Sequence, residues 1–398
     1  MAEMVLRFMA CSDLHFKDED SCKEKARFEA GLKQLYAYAR SQDYKNVDAI
    51  YIVGDFANCG SLLQMKSVKA SLDKLVQNET KVILTMGSHE YFGENKEEGG
   101  RARFAEVFGQ EPNTHEVING FHFIGVTTTD GCHFHDVEKD FTAKSLEEAH
   151  ADTPNKPVFF FQHPHITDTI YGSIGWGEDE ITPILVNYPQ VIDFSGHSHA
   201  PINDPRNIHQ QHFTSVGTGT FSYFELDEFE KIYGTKPPRN DKAAQMVIVE
   251  AYSDGSVEIK PYDCITDRFF DVSWKIDTPW EPDSFIYTRE KRLREAKKPY
   301  FDNSAVETAV NGDSLTVKFK QAKCELEPVN DYIVTIRSAD GYVARRFTIW
   351  SEYYFADMPE FVEYTIDGLK KGDYTVTVRA RGFWENYSDD VISAEFTV

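Results

Sequence analysis

Nothing in the sequence approaches the roughly 20 consecutive apolar residues of a membrane-crossing helix, so no such span is expected. Disulfide staples are missing too. The six cysteines (Cys11, Cys22, Cys59, Cys132, Cys264 and Cys324) lie singly, without close pairs, as reduced thiols of a cytoplasmic protein this large do. Positive charge is in deficit: 42 Lys and Arg face 65 Asp and Glu, a formal net charge of −23. That balance argues against nucleic acid or an anionic membrane as partner. It leaves hydrolysis of an anionic substrate open, because bound dications supply their own local positive field. Internal repeats and low-complexity stretches are also absent, which leaves ordinary globular packing.

What is present fits that frame. A chain of 398 residues is too long for one core, so two domains are expected. Hydrophobic residues at 41% and charged residues at 27% are globular proportions, and 29 Phe with 20 Tyr favour strands and large buried surfaces. The opening residues Met1–Ala10 are apolar only briefly, include charges and run straight into Cys11-Ser12-Asp13. They are read as a first buried strand, not a signal peptide.

Through the first two thirds, apolar runs ending at Cys11, Gly54, Met86, Val126, Gln162 and Ser195 alternate with helical patterns such as Lys23–Arg40 and Leu62–Leu75. That alternation predicts layered α/β packing, with functional residues at the C-terminal ends of strands. Gln245–Tyr262 reads as a hairpin through Asp254-Gly255. The charged stretch Thr288–Lys298 reads as a linker or short exposed helix. After it, Leu315–Phe319, Tyr332–Ile336, Arg346–Trp350 and Tyr374–Ala380 have the spacing of a small all-β sandwich.

The histidines carry the chemistry. Successive strand ends deliver Asp13-Leu14-His15, Gly54-Asp55, Gly87-Ser88-His89-Glu90, His163 and Gly196-His197-Ser198-His199. Each glycine is expected to let the chain turn sharply, so that the next side chain enters a shared crevice. Imidazole with carboxylate suits Zn, Mn and Fe, and there are enough ligands for two ions with one Asp bridging them. Two such ions clamp a phosphoryl group and generate a nucleophile at neutral pH. Any one of these histidines alone would be read as structural; five motifs in order at strand ends are not.

These motifs resemble the calcineurin-like metallophosphoesterases, marked by D-x-H, G-D, G-N-H-[ED], a lone His and G-H-x-H, over roughly Met4–Tyr262. The resemblance implies a four-layer αββα sandwich and two divalent or trivalent ions (Mn, Fe or Zn). It places the first on Asp13, His15 and His199 with Asp55 bridging, and the second on Asp55, Ser88, His163 and His197. His89 then protonates the leaving oxygen, and a metal-bridging hydroxide attacks phosphorus in line. Two departures stand out. Ser88 occupies the usual Asn position, and its shorter hydroxyl is expected to weaken occupancy of the second site or alter the identity of its metal. Asn58 replaces an Asp that pairs with the catalytic His in many members; it can orient His89 but not raise its pKa by charge.

Other candidates are weaker. His165 is expected at the rim rather than as a ligand. Arg101 and Arg103, in the Gly93–Arg103 segment read equally well as a solvated loop, are candidates to grip substrate phosphate. Trp176 is a candidate to stack on a nucleobase. Cys132–Asp136 resembles half a metal site but lacks a second half with ligand spacing. The run His212–Thr220 reads as a strand closing the sandwich near the metals. Leu369–Ala380 resembles the tyrosine corner of a fibronectin type III domain, one residue short of the usual spacing, so an immunoglobulin-like relative stays open.

The sequence thus predicts a phosphoesterase domain over 1–285, a linker over 286–300 and a fibronectin type III-like sandwich over 301–398. The expected function is metal-dependent hydrolysis of a small phosphodiester or nucleotide. Alternatives are a phosphomonoesterase or protein phosphatase of the same fold, or a binding protein acting through its C-terminal sandwich. That sandwich is also the expected place for a protein partner or for self-association.

Overall fold

The computed structural model describes residues 2–93, 96–226, 234–302 and 305–398. Its contacts divide the chain into two units: Met1–Glu225 with Asn240–Arg289, and Leu226–Arg239 with Glu290–Val398.

The first unit runs β1 (Met4–Cys11), α1 (Lys23–Ser41), β2 (Ala49–Val53), α2 (Leu62–Leu75), β3 (Lys81–Thr85), α3 (Lys96–Phe108), β4 (Thr114–Ile118), β5 (Phe121–Gly125) and α4 (Asp136–Asp152). It continues with β6 (Val158–Phe161), β7 (His165–Ile166), α5 (Ser173–Trp176), β8 (Gly177–Glu178), α6 (Thr182–Leu185), β9 (Val191–Ser195), β10 (Ile208–Gln210) and β11 (Thr214–Gly217). It closes with β12 (Gln245–Tyr252), β13 (Val257–Asp263), β14 (Arg268–Phe269) and β15 (Trp274–Ile276). One sheet has the order β14-β13-β12-β1-β2-β3, with β15 also on β13; the other has the order β10-β11-β9-β6-β5-β4.

Aromatic rings fill the space between the sheets. Phe8 of the first sheet meets Phe159 and Phe123 of the second edge-on, at 4.8 and 5.0 Å. Tyr51 of the first stacks on Phe161 of the second at 3.6 Å. β6 shows the alternation that a two-faced strand needs. Phe159 and Phe161 face the other sheet, while Val158 and Phe160 pack outward with Leu146 and Ala149 of α4. On the opposite outer face, Phe28, Leu32 and Leu35 of α1, Met65 and Val68 of α2 and Phe104 of α3 cover the first sheet. The domain is therefore a four-layer αββα sandwich, and its many Phe residues are the interlayer.

β1, β2 and β3 are mutually parallel, as are β5, β6, β9 and β11. Each set therefore delivers its C-terminal ends to one edge. Backbone bonds then link neighbouring strand ends, from Asp13 N–H to the Gly54 carbonyl at 3.1 Å and from Gly196 N–H to the His163 carbonyl at 3.0 Å. A further bond joins Phe221 N–H to the Asp13 carbonyl at 3.2 Å.

The segment expected as a solvated loop is helix α3 from Lys96 onward; residues 94 and 95 lie outside the described residues. Its Phe104 and Phe108 are buried, and that apolar payload outweighs the helix cost of two adjacent glycines. In the second unit, β16 (Val306–Asn311), β17 (Ser314–Lys320) and β20 (Phe361–Ile366) form one antiparallel sheet. β18 (Asp331–Ser338), β19 (Val343–Trp350), β21 (Asp373–Arg381) and β22 (Ile392–Thr397) form another, in the order β19-β18-β21-β22. A shared core of Leu315, Val317, Phe319, Tyr332, Val334, Val376 and Val378 joins them. The charged stretch before it contains the short helix α7 (Arg289–Glu295).

Candidate metal centre

The strand ends bring their His and Asp side chains into three overlapping groups: Asp13–His15–His199, His15–Asp55–His89 and Asp55–His163–His197. Within each group, ligand atoms lie no more than 4.8 Å apart. Asp13 Oδ1 is 3.2 Å from His199 Nε2 and 3.8 Å from His15 Nε2, and Asp55 Oδ2 is 3.0 Å from His163 Nε2. Ligands bonded to one ion at about 2.1 Å in a tetrahedron stand about 3.4 Å apart, so these spacings suit a cation.

The hydrogen bonds leave the right atoms over. His163 Nδ1 donates to the Val53 carbonyl at 2.7 Å, His199 Nδ1 to the Tyr223 carbonyl at 2.9 Å and His89 Nδ1 to the Asn58 carbonyl at 2.7 Å. In each ring Nε2 is thereby turned into the crevice, the arrangement that fixes a metal-ligating imidazole. Asp13 Oδ2 accepts from Ser12 Oγ and from His197 N–H, which leaves Oδ1. With the imidazoles neutral, Asp13 Oδ1, His15 Nδ1 and His163 Nε2 are buried polar atoms with no hydrogen bond. Orphans of this kind cost free energy unless something else, such as one ion at Asp13 Oδ1 and another at His163 Nε2, satisfies them.

The backbone is bent to present these groups. Asp13, His15, Asp55, His197 and His199 all sit at left-handed φ, between 46° and 72°. Non-glycine residues largely avoid that region, so five of the clustered residues hold backbone strain. The neighbouring glycines do two different jobs. Gly54 does turn the chain, at φ +78°, and a Cβ there would lie 2.4 Å from His163 Nδ1. Gly87 does not have positive φ and is needed for close approach instead, which corrects the expectation that every glycine serves as a turn.

Electrostatics follow from burial and mutual contact. Burial alone would push Asp13 and Asp55 up, but the facing imidazoles hold both carboxyls below the usual range. Burial would likewise lower His163, yet the Asp55 carboxylate raises it to about 10; burial and the His163 charge lower His197 to about 4. An ion taken up at His163 Nε2 would therefore displace a proton at pH 7. Metal loading at pH 7 is expected to release protons, and affinity is expected to rise with pH towards 10. Calorimetric titration in two buffers of different ionisation heat checks this; affinity that falls between pH 6 and 8 contradicts it.

The calcineurin-like phosphoesterase family matches residues 6–201, a span that contains every member of the three His and Asp groups. Residues 6–201 form a calcineurin-like phosphoesterase domain. Among solved structures, the chain is similar to a purple acid phosphatase from yellow lupin (Lupinus luteus) seeds, with 16% identity and a TM-score of 0.49. That match covers 70% of this chain and 54% of the other, so this chain spans about half of that phosphatase. A family 76 glycoside hydrolase from a bovine Bacteroides thetaiotaomicron strain matches at 16% identity and TM-score 0.20, over 25% of this chain and 20% of its own. The PKD domain of an M14-like peptidase from a Thermoplasmatales archaeon matches at 22% identity and TM-score 0.18, over 26% and 97% respectively. No curated protein matches the sequence.

Around the centre of the phosphoesterase domain stand the other side chains singled out in the sequence. Ser88 Oγ lies 3.5 Å from Asp55 Oδ2, beside the second group. Asn58 orients His89 through its backbone carbonyl, while its side-chain amide turns to Cys59 Sγ. His165 is buried, not at the rim; its two ring nitrogens bond Ser195 Oγ and Ser198 Oγ at 2.8 and 2.7 Å, which steadies the loop carrying His197 and His199. Arg101 and Arg103 do not join the cluster. Arg101 bonds the Thr128 carbonyl and Glu138, and Arg103 bonds the Gly60 carbonyl at 2.8 Å. Both guanidinium groups thus serve the fold, because helix α3 turns them towards neighbouring loops. Trp176 stands edge-on to His197 at 5.0 Å.

Sequence reading missed three features. Glu90 belongs to the Gly87–Glu90 motif, but its role is visible only in three dimensions. It is fully buried and accepts backbone N–H from Asp55, Ala57 and Gly87 at 3.0, 2.8 and 2.7 Å, tying two metal-site loops together. Tyr223 packs its ring on His199 at 4.2 Å, and nothing in the sequence marks it. Lastly, Glu178 and Glu180 supply the second half that Cys132–Asp136 lacks, by meeting His133. Burial and the Glu180 carboxyl raise Glu178 to about 8.

Proposed function

We propose that the phosphoesterase domain hydrolyses a small phosphate ester, with a diester or nucleotide as the preferred substrate. The observation that carries the reading is Asp55, the one residue shared by the His15–His89 group and the His163–His197 group. In this reading Asp13, His15 and His199 hold one ion, Ser88, His163 and His197 hold the other, and Asp55 bridges. Bound Mn, Fe or Zn ions would clamp the phosphoryl oxygens and supply a nucleophile from water at neutral pH. The short Ser88 hydroxyl makes the second site the weaker one.

The chain's own part is positioning and proton transfer. Water adds across the ester bond: its oxygen bonds phosphorus and the bond to the leaving oxygen breaks. The leaving oxygen takes the proton of His89 Nε2, and the proton lost by water recharges the imidazole. The Asn58 carbonyl aims that ring by holding Nδ1, and Nε2 lies 4.0 Å from Asp55 Oδ2, beside the reacting centre. His89→Ala is expected to lower kcat about 10²- to 10³-fold while metal content stays unchanged. Loss of metal together with activity would instead make His89 a ligand.

Hydrolysis of an aryl phosphodiester and an aryl phosphomonoester, by protein stripped and reloaded with Mn or Zn, tests the reading, with His197→Ala as control. Preference for the monoester would make the domain a phosphatase or nucleotidase. No turnover despite bound metal would favour a binding protein. For the second unit we propose a fibronectin type III-like sandwich serving protein contact or self-association. Tyr374 near the start of β21, whose hydroxyl donates to the Lys370 carbonyl at 2.8 Å, supports it as a tyrosine corner. Six unbridged cysteines support a reducing, cytoplasmic setting. Among the described residues, no helix is long and apolar enough to cross a membrane.

A further inference from the structure

Three aromatic rings each contact a different imidazole of the cluster. Tyr223 packs on His199, Trp176 stands against His197, and the Phe92 ring lies 4.5 Å from the His89 ring. Phe92 differs from the others in exposure: 63% of it faces solvent, against 37% for Trp176. A single exposed Phe on a surface is ordinary. This one is held in place by the same element that carries the proposed proton donor. Residues His89–Tyr91 form a single 3-10 turn, closed by Phe92 N–H donating to the His89 carbonyl at 3.2 Å. In such a turn side chains three apart eclipse, so positions 89 and 92 stand on one side. Tyr91, pointing the other way, is buried and anchors the turn through its hydroxyl on the Thr128 carbonyl at 2.7 Å. The ring is thus an exposed apolar surface beside His89, on the side where a leaving oxygen would receive its proton.

We propose that Phe92 is the platform for the leaving group of the substrate, and that this leaving group carries a planar aromatic body, such as an aryl or a nucleobase-bearing alcohol. The inference rests on the hydrolase reading above and names the substrate class for it. A planar π-face laid on Phe92 removes an exposed ring from water and adds stacking, whereas a small alkyl or sugar-only alcohol gains little there. A charged peptide side chain gains less still, because Phe92 offers it no counter-charge.

The test uses the full chain loaded with Mn. Aryl and methyl esters of one type, diester or monoester according to which the wild type turns over, are compared in wild type, Phe92→Ala and Phe92→Trp. The expected result is an aryl-to-methyl ratio of kcat/KM that falls about tenfold in Phe92→Ala, through KM for the aryl ester, and returns in Phe92→Trp. An unchanged ratio, or an equal loss on both esters, overturns the platform. Failure of the wild type to hydrolyse any ester while holding metal would overturn the hydrolase reading instead, so the two failures are told apart.

Discussion

Asp55→Asn is expected to remove ester hydrolysis altogether, a loss of more than about 10³-fold in kcat/KM, or about 4 kcal/mol of transition-state stabilisation. The substitution is nearly isosteric. Oδ1 can go on accepting the His89 N–H at 2.8 Å, so the turn that carries His89 and Phe92 keeps its anchor. What disappears is the negative charge 3.0 Å from His163 Nε2, together with the one carboxylate common to two ligand groups. An amide turned towards His163 offers either a neutral oxygen to one ion or an N–H to the imidazole, and neither bridges two cations. His163 also loses the charge that raises it, so its proton should leave near or below the ordinary imidazole range. Metal content by mass spectrometry alongside the rate measurement separates loss of an ion from loss of chemistry. Retention of full activity would remove Asp55 from the bridging role.

Gly87→Ala should be as damaging, through sterics alone. A Cβ at that position would lie 2.3 Å from Asp55 Oδ1, 2.7 Å from Asp55 N and 2.6 Å from His163 Cδ2. Two of those atoms belong to proposed ligand side chains and the third is backbone, so no flexible end can swing aside. Relief requires β2 and β3 to part at their ends, against the Glu90 carboxyl group that holds Asp55 and Gly87 together. The expected cost is about 3 kcal/mol of stability, at the upper end for overpacking. Any protein that folds should bind metal much more weakly. Thermal melting with and without Mn measures both effects, and a variant with wild-type melting and metal uptake would show that the loops separate freely.

Much of the catalytic domain was legible because its signals are local. Apolar runs followed by Asp, His or Gly placed β1, β2, β3, β6 and β9 within a residue or two, and the layered α/β packing followed from their alternation with helices. Asp13, His15, Asp55, His163, His197 and His199 meet in the crevice the sequence predicted for them. What stayed hidden depends on contacts between distant segments. Helix α3 was obscured by Gly99 and Gly100, yet Gly100 fits where a Cβ would come within 3.0 Å of the Glu90 carbonyl. Arg101 and Arg103 looked like substrate grips because a sequence does not say which partner already holds a guanidinium. His165 looked peripheral because its two serine partners lie 30 and 33 residues away. The same limit hid β16, β20 and β22 of the second unit. Exposed residues interrupt their apolar alternation, and cross-strand pairing defines them better than pattern does.

The left-handed backbone at Asp13, His15, Asp55, His197 and His199 also bears on how this domain can change over time. Each such position withholds on the order of 1–3 kcal/mol from the fold. A glycine at any of them would relieve it, and would delete a proposed ligand in the same stroke. Selection for robustness alone therefore pushes these five sites away from their present residues, and only a continuing demand for the chemistry opposes that drift. Were the reaction to become dispensable in some lineage, these positions should be among the earliest to change, and the resulting protein would be sturdier than its parent.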